Sequence, residues 1–124
     1  MIAEVIEQLV SALQDNGLAA TADARNVDPP GCFVTINRLE RPTLADDYAL
    51  TGSVVCLVRD LGGMADIDAI SDMVDQVMSI LQPLGAEFLA IELNQQATLP
   101  TGGTMPAAHI LFRIYAEMEQ NNGN

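Results

Sequence analysis

The spacing between apolar residues changes along this chain in a way that admits few folds. Apolar residues recur at three- and four-residue steps over residues 2–16 and from Asp66 to about residue 82, which predicts two amphipathic helices. Elsewhere they alternate, which predicts strands at 32–39, 48–59, 87–94 and 108–118, with 18–24 as an optional short edge strand. Paired strands between helices favour an α+β fold, with two helices packed on one face of a mostly antiparallel four- to five-stranded sheet.

The same patterns predict caps, strand pairs and buried positions. Asp66 is placed to cap the second helix by accepting bonds from its free amides. The strands at 32–39 and 48–59 should form an antiparallel hairpin that puts Cys32 opposite Cys56. The connection at 95–106 is rich in proline and glycine and is expected to be a long exposed loop. The second helix should bury Ile67, Ile70, Met73, Val74, Val77, Met78 and Leu81, and the strand at 87–94 should carry Leu89, Ile91 and Leu93 on one face.

Length and composition indicate one domain. The chain has 124 residues, of which 49% are apolar and 18% charged, which is enough for one core without disulfides or metals. We expect residues 1–118 to form a single α+β domain. Residues 119–124 offer nothing to bury and are expected to be a disordered tail.

The cysteines and the hydropathy of the chain indicate the cellular compartment in which the protein is expected to fold. Cys32 and Cys56 are the only cysteines and form no CxxC pair, so no zinc or redox motif is predicted. No segment approaches the roughly 20 consecutive apolar residues of a membrane-spanning helix, and the first residues carry acids where a signal peptide needs basic charge. We expect a protein that is assembled in the cytoplasm, does not enter a membrane and keeps both thiols reduced.

The charged residues exclude several kinds of chemistry. The formal net charge is −12, all five basic residues are arginines, and lysine is absent. Without lysine the chain has no Walker-type phosphate lysine, Schiff-base lysine or lysine general base. So acidic a surface should also repel a nucleic-acid backbone, which disfavours tight binding to DNA or RNA.

Motifs for metals and phosphates are not fulfilled. The acidic run DIDAISDMVD at 66–75 resembles a calcium loop, but Ser71 and Val77 stand where an EF-hand needs glycine and glutamate. A capped helix with a solvated acidic face accounts for the same residues. The glycine pairs at 62–63 and 102–103 do not fit the phosphate-binding glycine motifs. We therefore expect neither a metal nor a cofactor.

Motifs for catalysis are equally weak. His109 is the sole histidine, and nothing in the sequence positions it beside a thiol to form a Cys–His nucleophile. We interpret it as an outward strand residue near Arg113 and Tyr115. No spacing brings two carboxylates together as an acid and base pair. The expectation is that the protein is not an enzyme.

As a whole, the order of segments resembles the tail terminator, or tail-completion, proteins of long-tailed non-contractile bacteriophages. An amphipathic helix precedes the proline break DPPGCFVTI and the strand YALTGSVVCLVR. The helix DIDAISDMVDQVMSILQPLG and the loop LPTGGTMPAAHI then lead into the last strand. The resemblance covers nearly all of residues 1–118 and rests on these segments in combination, because none is a catalytic signature.

The resemblance implies a structural virion protein that forms a hexameric ring, binds the last ring of the tail tube, stops tube polymerisation and joins the neck or head-completion protein. DNA would pass through the lumen without specific binding. The candidate contact residues for neighbouring subunits are Arg38, Arg41, Asp46, Asp47, Tyr48, His109 and Arg113. Alternatives are another head-tail connector or minor tail protein, or a small-molecule-binding regulatory domain, which should have an enclosed pocket with convergent polar groups.

Overall fold

The computed structural model describes residues 1–41, 47–100 and 103–117, and these confirm the predicted fold class. The described chain forms two α-helices and a five-stranded, mostly antiparallel sheet. The helices are α1 (Ile2–Asp15) and α2 (Gly63–Leu81), and the strands are β1 (Ala20–Thr21), β2 (Gly31–Glu40), β3 (Asp47–Leu57), β4 (Glu87–Leu99) and β5 (Gly103–Glu117).

The order of the strands determines which borders of the sheet are open. They lie in the order β1-β2-β3-β5-β4, and only the two-residue pair of β1 with β2 is parallel. Cys32 of β2 lies opposite Cys56 of β3, which confirms the predicted register. Because β5 lies between β3 and β4, the 13-residue strand β4 forms one border of the sheet, with β5 as its neighbour on one side.

Both helices pack on one face of the sheet. Leu9 and Leu13 of α1 and Leu81 of α2 are fully buried, and they join alternate side chains of β2, β3 and β5 in the main core. Phe112 is the largest of the fully buried side chains. Each fully buried leucine or phenylalanine stabilises the fold by roughly 1.5–3 kcal/mol, so this layer between helices and sheet supplies much of the stability.

The opposite side of the sheet has no helix on it among the described residues. At one end of this side of the sheet, five apolar residues form a smaller buried cluster: Val27, Val55, Leu57, Leu99 and Ala107. Over the rest, the side chains are partly exposed. We call this part, which carries Thr35, Ser53, His109, Leu111 and Arg113, the open face.

Helix α2 begins earlier than predicted. It starts at Gly63 after an N-cap at Gly62, so the prediction that Asp66 is the capping residue was wrong. The Asp66 carboxylate instead accepts hydrogen bonds from the amides of Leu61 and Gly62, at 2.7 and 3.1 Å, and so holds the connection that precedes the helix. Ile67, predicted to be buried, is 56% exposed because no described element covers this part of α2.

The segment at 95–106 is a hairpin end, so the prediction of a long exposed loop was wrong. Strand β4 continues to Leu99 and β5 begins at Gly103, with Gln96 opposite Pro106. The hydroxyls of Thr98 and Thr104 lie 2.9 Å apart and join the two strands by a hydrogen bond. Gly103, at φ +74, adopts the left-handed conformation that glycine tolerates best.

Strand β4 does not present the predicted apolar face to the core. Its register with β5 shifts between Phe88 and Ala90 and again between Glu92 and Gln95. Each shift adds a residue to one strand and changes which side the next residue occupies. Ile91 lies opposite the core residue Ile110, yet Leu89, Ile91 and Leu93 are 44%, 36% and 57% exposed, and β4 forms the border of the sheet.

Candidate functional site

The predicted contact residues lie on two sides of the sheet. Arg38 and Arg113 both lie opposite Thr51, and His109 lies opposite Val55, which places these three on the open face. Tyr48 lies opposite Ala116, which packs against the main core, and so belongs to the helix-bearing side. Asp47 is exposed at the start of β3, and Asp46 lies outside the described residues.

Two of the predicted arginines pair with carboxylates of their own chain. Arg38 Nε lies 3.6 Å from Glu40 Oε2, and Arg113 Nη1 lies 3.9 Å from Glu87 Oε1. The pairs are long and exposed, and such surface pairs contribute about 0–1 kcal/mol. Both guanidinium groups therefore remain at the surface, where a stronger carboxylate partner can bind them.

Arg41 follows β2 and lies over an aromatic ring. Its guanidinium carbon is 5.6 Å from the centre of the Tyr48 ring, within the range of a cation–π contact. The contact joins the end of β2 to the start of β3. Leu39 lies opposite Leu50 of the main core and so belongs to the helix-bearing side, whereas Arg38 belongs to the open face.

His109 lies on the opposite side of the sheet from both cysteine thiols. Its Nδ1 lies 3.8 Å from Glu92 Oε1 on the open face. Cys32 and Cys56 lie on the other side of the sheet, among the main-core residues. The sheet itself lies between the imidazole and the sulfur atoms, so the structure does not assemble a Cys–His nucleophile.

Both thiols are fully buried and free. Burial raises the pKa of Cys32 from 9.0 to about 11. Burial, with a smaller contribution from the neighbouring Cys32, raises the pKa of Cys56 well above its usual range. Both sulfurs are protonated at neutral pH, and a thiol in that state is a poor nucleophile.

We expect a maleimide to label neither cysteine in the native protein at neutral pH, and both after unfolding in urea. The control is Leu61→Cys, which puts a thiol at a position that is 71% exposed and should react at once.

Above pH 9 the unfolded chain loses a thiol proton that the folded chain keeps. The free energy of unfolding should therefore fall as the pH rises from about 9 to 11. Rapid labelling of the native wild type would contradict this account.

An apolar groove runs between α2 and the border strand β4, and we call it the α2–β4 groove. It encloses about 490 Å³, and its lining residues are Ile67, Ile70, Ser71, Val74, Asp75, Ile91, Leu93 and Asn94. Ile91 and Leu93 of the border strand are partly exposed beside the helix.

A second hollow of about 400 Å³ continues the α2–β4 groove towards the start of α2. The two share Ile67, Ile70 and Asn94, but the second also contains Asp60 and Asp66. The combined surface thus has an apolar floor with carboxylates along it. An apolar surface of this kind on a folded chain is typical of a protein-contact site.

The α2–β4 groove was not predicted from the sequence. The periodicity of α2 assigned Ile67 and Ile70 to the core, and the alternation in β4 gave no sign of its register shifts. One signal was available in the sequence. The segments that form α2 and β4 follow one another in the chain, and together they carry more apolar residues than a strand at the border of a sheet can bury. Arg38 and Arg41 near the other border were predicted to be contact residues because arginine is rare in this chain.

Within residues 1–41, 47–100 and 103–117, no three side chains of the His, Cys, Asp and Glu types are grouped so as to hold a metal ion. Neither α1 nor α2 is both long and apolar enough to cross a membrane.

Over the residues that the structure describes, the chain is a two-layer α+β protein with an open face on its sheet and a grooved, partly apolar border. No protein-family model matches the chain, and no curated protein matches it in sequence.

Proposed function

We propose that this chain is a structural subunit that closes into a ring on the end of a bacteriophage tail tube and stops the tube from growing. The observation that carries the proposal is the α2–β4 groove, where Ile67 and Leu93 are both more than half exposed at a border of the sheet. Apolar side chains so placed lose contact with water only when another chain covers them.

The charge of the chain fits a ring through which DNA passes. The net charge is −12, and α2 alone carries Asp66, Asp68, Asp72 and Asp75 without a basic residue. Carboxylates along a channel wall repel phosphates and keep DNA from adhering to it. In this proposal the chain has three protein partners, namely its own copies, the tail tube protein and the head-completion or neck protein.

A regulatory domain that binds a small molecule fits the geometry less well. Such sites bury most of their ligand among a few convergent polar groups. The α2–β4 groove is open to solvent along the sheet border, and none of the fully described buried residues is polar or charged. A surface of this kind is better suited to a side chain or element of another protein than to an enclosed metabolite.

Deleting the gene for this chain tests the proposal. The phage should then make tails of irregular, excessive length and no infectious particles, because nothing stops tube polymerisation. Electron microscopy gives the length distribution, and supplying the wild-type gene from a plasmid is the control. Tails of normal length, joined to heads in the deletion strain, would overturn the proposal.

A further inference from the structure

The α2–β4 groove is lined mainly by apolar side chains and is uncovered among the described residues. Ile67 of the helix and Leu93 of the border strand are 56% and 57% exposed, and Ile70, Val74 and Ile91 complete the apolar lining. An exposed apolar patch that polar residues border is typical of a surface that binds another chain. The charges around the groove indicate which kind of chain that is.

Carboxylates border the groove along α2. Asp68, Asp72 and Asp75 are spaced by four and three residues, which places them in one row on the helix. Asp75 belongs to the groove lining, so the row runs beside the groove, and the adjoining hollow adds Asp60 and Asp66. Among the described residues, none of these five carboxylates has an arginine or histidine within ion-pair distance. We call the five the acidic rim, and its charge favours a cationic partner.

A second copy of this chain does not supply such a partner surface. The chain has no lysine and a net charge of −12, so two copies approach each other with like charge. Arg38 and Arg113 lie on the open face, each beside a carboxylate of its own chain. Arg25 donates to both carboxylate oxygens of Asp23, and Arg59 donates to a backbone carbonyl. The acidic rim therefore favours a different protein, and copies of the chain contact one another through other surfaces.

The border strand favours a helix over an added strand as the occupant of the groove. The register of β4 with β5 shifts between Phe88 and Ala90 and between Glu92 and Gln95, and in both places the extra residue is on β4. Bulges on a border strand hinder regular pairing with an incoming strand. An amphipathic helix needs no backbone hydrogen bonds from β4, because it binds a groove through apolar side chains on one of its faces.

We infer that the α2–β4 groove binds a basic amphipathic helix of a different protein. This rests on the proposed function, because it states which kind of partner covers the groove: the tail tube protein or the head-completion protein, and not a second copy. The apolar face of the partner helix packs against Ile67, Ile91 and Leu93. Lysine or arginine side chains at the margin of that face pair with the acidic rim, where Asp68 and Asp75 lie nearest in sequence to the apolar lining of α2.

A synthetic helical peptide of about 18 residues tests the inference. It carries leucine on one helical face, lysine on the other and a fluorescein label, and its binding is measured by fluorescence anisotropy. The wild-type chain should bind it with a Kd on the order of 10 µM. A peptide with glutamate in place of lysine has the same apolar face but meets the acidic rim with like charge, so it should bind at least about tenfold more weakly. Equal binding of the two peptides, or binding of neither, would overturn the inference.

Two variants of the chain separate the apolar contact from the charged one. Leu93→Ser should weaken binding of the lysine peptide at least about tenfold. Asp68→Asn combined with Asp75→Asn should weaken it about fivefold, since two ion pairs at the surface are lost. Circular dichroism checks that each variant is folded, and Leu93→Ala replaces Leu93→Ser if the latter is not.

Each variant has a matched control. Leu89→Ser changes an exposed leucine of the same strand that does not line the groove. Glu7→Gln combined with Asp28→Asn removes two exposed carboxylates that belong to neither the groove nor the adjoining hollow. Both controls should bind the lysine peptide like the wild type. If the controls lost as much binding as the groove variants, or if the groove variants lost none, the inference would be wrong.

Sedimentation velocity tests the rival occupant, a second copy. Self-association of the wild type that Leu93→Ser abolishes and Leu89→Ser leaves intact would place a copy in the groove and overturn the inference. The gene deletion is independent of this contact. Overlong tails in the deletion strain without peptide binding would reject the contact and leave the proposed function standing, while peptide binding with tails of normal length would do the reverse.

Discussion

Gly52→Ala is expected to lower the free energy of unfolding by roughly 3 kcal/mol or more, and so to remove a large part of the stability of a domain this size. A Cβ atom at Gly52 would lie 2.0 Å from the carbonyl oxygen of Thr35 and 3.0 Å from Cα of Ile36. The obstruction is backbone of β2, next to the register shift between Ile36 and Arg38. No rotamer change relieves it, so the two strands must separate.

Urea titration of the purified variant measures this loss. Gly17→Ala is the control, because Gly17 has φ +90 but nothing within 4 Å of an added Cβ, and should lose only about 1–2 kcal/mol from backbone conformation. A Gly52→Ala protein that loses less than 1 kcal/mol would mean that β2 and β3 are not in the register described.

Phe112→Ala is expected to lower the free energy of unfolding by about 3–5 kcal/mol, which combines the lost burial of the ring with the cavity left behind. Phe112 is fully buried in β5, with Gly52 opposite it on β3 and Phe88 opposite it on β4. Gly52 has no side chain to occupy the space next to the ring, so little can move in to fill the cavity.

The same urea titration measures this effect, and Phe112→Leu is the control, with a loss of about 1.5 kcal/mol or less if the core can repack around it. If alanine and leucine had equal, small effects, the centre of the core would have to lie elsewhere. The variant should also expose the core enough to speed maleimide labelling of Cys56, its neighbour in the same cluster.

The sequence predicted well those helices and strands in which the apolar residues keep one spacing from beginning to end. Leu9 and Leu13 repeat at the helical spacing, and Val54 and Cys56 alternate as a strand does, so their burial against one another follows from side-chain geometry. The opposition of Cys32 and Cys56 was predictable because a short connection fixes the register of a hairpin.

The features that were missed depend on contacts between distant parts of the chain. Nothing local marks the register shifts around Leu89 and Leu93, because a bulge depends on how the neighbouring strand pairs. Proline and glycine near residue 100 predicted a loop, yet Pro106 is accommodated within β5. Ile67 is exposed because β4 lies at the border of the sheet. The spacing of apolar residues does not predict the order of the strands, so this exposure could not be predicted.

We propose that copies of this chain cover the end of a tail tube. Gold-labelled protein added to overlong tails from the deletion strain tests it directly by electron microscopy. Label confined to one end of each tail, followed by joining of that end to heads, is the predicted result. Label along the whole tube, or none at all, would contradict the claim.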